Sequence, residues 1–398
     1  MRQKYSNPLP LPKKLFAIWA LFTMAGIYLH IPFCKQACYY CDFHFSTDTS
    51  SRKEMCLAMA RELDLQKTYI RDSVQTIYFG GGTPSLLTGE ELEILFNSIY
   101  NNYTIDPGAE ITLEANPDDL TIEKIKALRA KGINRLSIGV QSFNDGLLRF
   151  LHRAHDGSTA RRCLHEVREA GFNNVSVDLI YAIPGLTEKS WEQTMTETLH
   201  FGPEHVSSYA LTIEDRTVFG NWKKRGKFHA AEEENVALQF EMLMDIMIAT
   251  RYDHYEISNF CKPGFYSRHN SSYWRQEDYL GIGPSAHSYN GASRQFNIRN
   301  NALYLRAIHA GTVPGELEIL TRENKINEYI LTTLRTQWGC NTRWLKTELE
   351  DDLLSRCAEY LVQIRQQGLI SLSEGTLRLT RAGKLLADKI TEDLMIPD

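Results

Sequence analysis

The chain has 398 residues, 43% hydrophobic and 23% charged, a balance that excludes intrinsic disorder and predicts two to three domains at roughly 150 residues each. Its 44 Lys+Arg against 49 Asp+Glu leave a net charge of -5, which argues against nonspecific nucleic-acid binding. The eight cysteines are too few for a disulfide scaffold, and three crowd between Cys34 and Cys41, as expected of a metal site in a reduced compartment.

In chain order, Lys13-Lys14 precede an apolar run over 15–24 that is too short for a membrane span of roughly 20 residues. Met24 directly precedes the first β-like stretch, so residues 1–23 read as an N-terminal extension from a misassigned start. A weak membrane-surface anchor is the second reading, and a cleaved export signal suits the cysteine cluster badly. No later segment reaches transmembrane length.

From 24 to 255, strand-like runs at 27–31, 76–79, 110–114, 135–140, 174–181 and 205–213 alternate with amphipathic stretches such as 90–100, 121–131, 158–170 and 188–199. Such alternation implies parallel strands with right-handed crossovers. Six units fall short of the eight of a closed barrel, so an α/β fold built on a partial (β/α)6 barrel is expected, with its chemistry at the C-terminal strand ends. Residues 256–320 are rich in aromatic, Asn, Gly and Pro residues and read as a connecting region. From 321 to 398 the pattern turns mainly helical (323–336, 342–348, 351–367), with a hairpin at 369–372 and 377–380 and a last helix at 382–390. This order resembles a winged helix. Its 11 Lys+Arg against 12 Asp+Glu lack the basic excess of a DNA-binding wing, so a packing or interaction module is expected.

The loop after the first strand carries Cys34-Lys-Gln-Ala-Cys38-Tyr-Tyr-Cys41. Three thiolates from one short loop suit three irons of a [4Fe–4S] cluster and leave the fourth iron open. A closed zinc site completed by His30 or His44 is the weaker alternative. The other cysteines, Cys56, Cys163, Cys261, Cys340 and Cys357, share no spacing and read as small buried hydrophobes. Candidate ligand-binding groups recur at the later strand ends. Gly80-Gly81-Gly82-Thr83 follows the second strand, where bare glycines permit close approach to the backbone. Glu114 ends the third and Gln141 the fourth. Arg153 follows a short helix later, where a guanidinium suits a carboxylate. Asp178 lies in the fifth strand, where a carboxylate suits hydroxyl donors, and Ala210 in the sixth.

The run Tyr28-x-His30-x-Pro32-x-Cys34-x3-Cys38-Tyr-Tyr40-Cys41 resembles the radical S-adenosylmethionine (SAM) superfamily, and more narrowly its oxygen-independent coproporphyrinogen III oxidase-like family, from about residue 26 to the C-terminus. The resemblance implies a [4Fe–4S] cluster on Cys34, Cys38 and Cys41, whose open iron binds the amino and carboxylate groups of SAM. It also implies a SAM site made by Tyr28, Tyr40, Gly81, Gly82, Thr83, Glu114, Gln141, Arg153, Asp178 and Ala210. Two departures separate this chain from the family's enzymes. Phe43 stands where they carry a further cysteine, and only a short tail precedes Tyr28 where they have a longer arm.

Arg268-His269-Asn270-Ser271-Ser272-Tyr273-Trp274 contains an HNxxYW motif that is similar to the signature of haem chaperones in this family. His269 offers an imidazole to haem iron, and Tyr273 and Trp274 offer aromatic faces. His287, in Gly281-Ile-Gly283-Pro-Ser-Ala-His287, is a second-choice ligand. The reading is a haem chaperone that binds the cluster, SAM and haem and transfers haem to acceptor proteins. The alternative is an oxygen-independent coproporphyrinogen III dehydrogenase, which decarboxylates propionates by radical chemistry, so enzymatic activity is left open. A radical SAM enzyme acting on RNA is weaker, because no basic module accompanies the barrel. Further expectations are a cytoplasmic location with association at the inner face of the membrane, respiratory proteins among the acceptors, no nucleic-acid partner, and a homodimer.

Overall fold

The computed structural model describes residues 25–397, so the N-terminal extension and its anchor reading lie outside the described residues. The strands of the main sheet are β1 (Ala25–Ile31), β2 (Val74–Gly81), β3 (Ile105–Ala115), β4 (Arg135–Gln141), β5 (Val175–Tyr181), β6 (His205–Ala210), β7 (Asp253–Glu256), β8 (Asn259–Cys261), β9 (Asp278–Ile282), β10 (His287–Tyr289), β11 (Ser293–Asn297) and β12 (Gly315–Ile319). Their order is β12-β11-β10-β9-β1-β2-β3-β4-β5-β6-β8-β7. Strands β1 to β6 are successive parallel neighbours and form the open α/β barrel core expected from the alternation.

These strands alternate with a period of two. Ile27, Leu29, Ile31, Ile77, Phe79, Leu113, Leu136, Ile138, Val175, Val177 and Val206 are buried in one core with helix residues such as Met59, Leu95, Ile125, Leu164 and Met195. The opposite face carries Tyr28, Tyr78, Glu114, Arg135, Ser137, Asp178 and Ser207, which line a single cavity. The apolar face holds the helical layer by the hydrophobic effect, while the polar face turns inward and makes the barrel a ligand well. Local signals set the helix ends. Thr88 and Glu91 form a reciprocal capping box at the start of Gly89–Asn102, and Asp156 caps Gly157–Glu169.

The region read as a connector departs from expectation. Residues 256–320 supply β8 to β12, and β9 pairs parallel with β1, adding a seventh parallel strand; β10, β11 and β12 continue antiparallel from it. These strands are three to five residues long, too short for periodicity to declare them, and only pairing across the sheet stabilises them. The sixth strand stops at Ala210 rather than 213, so Ala210 stands at its C-terminal end. Beyond residue 320, helices Arg322–Leu334, Thr342–Glu348, Leu353–Arg356, Ala358–Gln366, Arg381–Lys384 and Ala387–Leu394 surround a separate core of Ile326, Ile330, Leu345, Leu377 and Ile390. The predicted 351–367 helix is interrupted at Cys357. The hairpin β14 (Ile370–Ser373) and β15 (Thr376–Leu379) gains a short third strand, β13 (Cys340–Asn341). Ion pairs Arg335–Glu256 at 3.2 Å and Arg294–Glu328 at 2.7 Å tie this module to the sheet. Among the described residues no helix is long and apolar enough to cross a membrane.

Candidate functional site

A cavity of about 1190 Å³ opens at the C-terminal ends of the parallel strands, larger than the roughly 300–1,000 Å³ usual for a small-molecule site. Its wall includes Tyr28, Cys34, Cys38, Tyr40, Cys41, Gly81, Gly82, Thr83, Glu114, Gln141, Arg153, Asp178, Ala210 and Tyr273. The tertiary structure therefore brings together every sequence-predicted residue except His269 and Trp274.

The cysteine loop is held from several sides. Cys34 N donates to Ser46 O at 3.0 Å and Phe219 N to Tyr39 O at 3.0 Å. Gln36 Nε2 donates to His152 O at 2.9 Å, and the Tyr39 and His152 rings stack at 4.2 Å. Lys35 reaches Asp118 at 3.0 Å and also Asp119. Burial pushes the Cys34 thiol up to about 12 and the Cys41 thiol up to about 11, so bound metal rather than local charge would have to hold them as thiolates. Among the described residues no three His, Cys, Asp or Glu side chains converge on one metal-ion position. A cubane makes no such demand, since each thiolate meets a different iron. The zinc alternative loses its supporting ligands: His30 Nε2 bonds to His44 O at 2.8 Å and His44 Nε2 to Asn301 at 2.7 Å.

Arg153 organises the floor beneath the thiols. Its Nη1 lies 3.4 Å from Cys38 Sγ and 3.3 Å from the Tyr40 hydroxyl, and its Nη2 donates to Asn116 Oδ1 at 2.6 Å and Gly139 O at 2.9 Å. Asn116 Nδ2 donates to Thr83 Oγ1 at 3.3 Å, and Thr83 Oγ1 to Cys34 Sγ at 3.3 Å. A continuous polar chain thus links two cluster thiols to two strand ends. Sequence reading passed over Asn116, whose signal was its place two residues after Glu114 and just before Pro117. Arg153 Nε is buried and unpartnered, as expected of a group awaiting an anion.

Glu114 accepts from the Tyr78 hydroxyl at 2.8 Å, and burial pushes its carboxyl up to about 7. Asp178 accepts from Ser137 Oγ at 3.0 Å and Ser176 Oγ at 3.2 Å; burial raises it above the usual carboxylate range. Gln141 holds φ at +64°, a left-handed conformation that costs a non-glycine residue about 1 kcal/mol or more and commonly marks a functional site. These three thiols, a guanidinium with an unpartnered Nε and two half-buried carboxylates fit a [4Fe–4S] cluster with SAM beside it. The glycine run needs a different account from the one its sequence suggested. A Cβ on Gly82 would lie 2.6 Å from Phe33 O and 2.9 Å from Ile31 O, and one on Gly81, at φ +108°, would meet the His30 ring at 2.8 Å. These glycines let β1 and the cysteine loop pass close to β2.

The HNxxYW residues also sit otherwise than expected. His269 is buried, with Nδ1 on Thr76 Oγ1 at 2.7 Å and Nε2 on the Tyr273 hydroxyl at 2.7 Å. Its ring stacks on Tyr78 at 4.9 Å. It plugs the barrel floor with both nitrogens engaged and offers no open ligand position. Tyr273 lines the cavity, whereas Trp274 turns to the C-terminal module, its ring 5.9 Å from the Arg335 guanidinium. Phe43 is 71% exposed at the cavity rim.

Comparison with known proteins bears on this geometry. Residues 28–197 match the family described as the Radical SAM superfamily, and residues 320–386 match the HemN C-terminal domain. Heme chaperone HemW of Bacillus subtilis is 36% identical over 374 residues, which cover 92% of this chain and 98% of that protein. The chain belongs to the HemW family. Heme chaperone HemW of Lactococcus lactis is 34% identical over 93% of this chain and 97% of its own length. The crystallised coproporphyrinogen III oxidase (HemN) of Escherichia coli superposes with a TM-score of 0.81 at 22% identity, covering 97% of this chain and 94% of that one. At that identity the likeness gives the HemW-family chain its fold, a radical SAM barrel with a helical C-terminal region, and no more.

Proposed function

We propose that this HemW-family chain is a haem chaperone, which binds a [4Fe–4S] cluster, SAM and haem in one cavity and passes haem to acceptor proteins. The observation that carries the reading is Phe43, an exposed aromatic ring on the cluster loop at the cavity rim, where the related enzymes carry a further cysteine. The name of the Bacillus subtilis relative supports it.

Cys34, Cys38 and Cys41 would hold the cluster, which when bound would offer SAM an open coordination position and a source of electrons. Arg153 would neutralise the methionine carboxylate, since it already stands 3.4 Å from Cys38 Sγ with Nε unpartnered. Glu114, ionised, would accept a hydrogen bond from the methionine amine, and Asp178 would accept from ribose hydroxyls. Gly81, Gly82, Thr83, Gln141, Ala210, Tyr28 and Tyr40 complete the proposed SAM wall. Tyr273 would face the haem side, with His269 holding its hydroxyl; direct iron ligation by His269 requires Tyr273 to leave Nε2. Three cluster thiols suit a reducing cytoplasmic setting.

Anaerobic titration of the reconstituted protein with haem, beside turnover assays with coproporphyrinogen III, SAM and a competent reductant, tests the reading. Haem should bind in stoichiometric amount and no decarboxylated porphyrinogen should form. Product accumulating over many turnovers, without haem binding, would establish the dehydrogenase instead.

A further inference from the structure

One wall of the cavity carries a group for which the proposed SAM set has no use. His287 opens strand β10, exposed and lining the cavity. Its ring stands edge-on to Phe296 at 4.9 Å and 88°, which fixes its plane. Among the described residues neither of its ring nitrogens has a hydrogen-bond partner. The neighbouring histidines differ: His30 bonds through Nδ1 to the Tyr28 hydroxyl and through Nε2 to His44 O, His44 Nε2 is on Asn301, and His269 is engaged at both nitrogens.

The surroundings of His287 are contiguous and chemically mixed. Register pairs His287 with Phe296, and Asn297 N donates to Ala286 O at 2.8 Å, so Arg299 follows directly on the adjacent segment. Arg299 contacts Asp42 of the cysteine loop, which brings Phe43 to the same rim. His287, Arg299 and Phe43 all line the one cavity. An open imidazole nitrogen, a guanidinium and an exposed aromatic ring are the three groups that recognise a metalloporphyrin carboxylate: the metal, the acid side chain and the macrocycle face. Partial desolvation and the Arg294 charge lower the proton affinity of His287, which favours the ligating form of the ring. The cavity volume of about 1190 Å³ leaves room for a second molecule besides SAM.

We propose that His287 is an axial ligand to haem iron at the cavity mouth, with Phe43 against the macrocycle and Arg299 toward a propionate. This rests on the haem-chaperone reading. The full chain, cluster reconstituted anaerobically, is titrated with haem as wild type, His287→Ala, His269→Ala and, as a distant surface control, His309→Ala. The readouts are the Soret band, the iron spin state by electron paramagnetic resonance, and SAM affinity by calorimetry. His287→Ala should lose the imidazole-ligand signature, bind haem about tenfold or more weakly, recover the signature with added imidazole, and keep its cluster and SAM affinity. Arg299→Gln should erase the preference for haem over its dimethyl ester. An unchanged spectrum and affinity in His287→Ala, or loss of the signature in His269→Ala alone, overturns the ligand assignment and leaves the chaperone reading standing. A wild type that binds no haem refutes the chaperone reading and this inference with it. An unchanged ester preference in Arg299→Gln overturns the propionate contact alone.

Discussion

Replacing Glu62 by Gln should destabilise the protein by about 1–3 kcal/mol. Glu62 lies in the helix Arg52–Leu65 with no solvent exposure. Its Oε1 accepts from Gln66 Nε2 at 3.0 Å and Asn297 Nδ2 at 2.6 Å. Its Oε2 accepts from Gly283 N at 2.8 Å and from the Tyr304 hydroxyl. The four partners are all donors, so a carboxylate satisfies them and an amide satisfies only the pair at its oxygen end. Each buried donor left unpaired costs about 1–3 kcal/mol, and one of the two stranded amides can turn, which gives the stated range. Tyr304→Phe removes one bond without adding a donor and should cost about 1 kcal/mol. Urea unfolding followed by circular dichroism, under anaerobic conditions, measures both. The same bonds fix Gly283, which sits at φ +101° four residues before His287, so Glu62→Gln should also loosen the cavity mouth. Coincident unfolding midpoints for wild type and Glu62→Gln would refute the reasoning.

Cys38→Ala should abolish iron–sulfur absorbance while Cys357→Ala leaves it intact; normal iron and sulfide in Cys38→Ala would sink the cluster assignment. Gly82→Ala drives a Cβ against Phe33 O and Ile31 O at a cost of about 1–3 kcal/mol, and because Phe33 adjoins Cys34 the reconstituted iron content should fall. Full cluster content with only SAM affinity lost would show that the glycine serves the ligand rather than the loop. Glu114 titrates near 7 because burial favours its neutral form, so it is protonated below that pH and charged above. SAM affinity should therefore rise more steeply from about pH 6 to 8 in wild type than in Glu114→Gln; calorimetry showing equal slopes in the two proteins argues against the hydrogen bond to the methionine amine.

The strand-and-helix alternation over residues 24–255 was legible because each unit carries its own signal, an apolar run with period two followed by a capped amphipathic helix. The cysteine loop was legible because its three thiols are close in sequence and follow directly on β1. Gln141 is legible from its place at the end of the fourth strand, Asp178 from its place within the fifth, and Arg153 from the short helix that follows the fourth. The barrel closes them onto one cavity, and that convergence is a property of parallel pairing.

What the sequence could not decide rests on contacts between distant segments. Strand β9 exists as a seventh parallel strand only because β1 offers it an edge. His269 reads as an open ligand until Thr76, 193 residues away, takes one nitrogen and Tyr273 takes the other. Gly82 answers to the carbonyls of Ile31 and Phe33, and Gly81 to the His30 ring. Glu62 holds Asn297 across 235 residues. Local propensity and spacing act over a helical turn or a strand, so the sequence by itself determined the strand-and-helix units of 24–255 and the thiol loop. Which nitrogens remain free and which carboxylates are buried depends on what the packed chain brings against them, and the tertiary structure alone decided that.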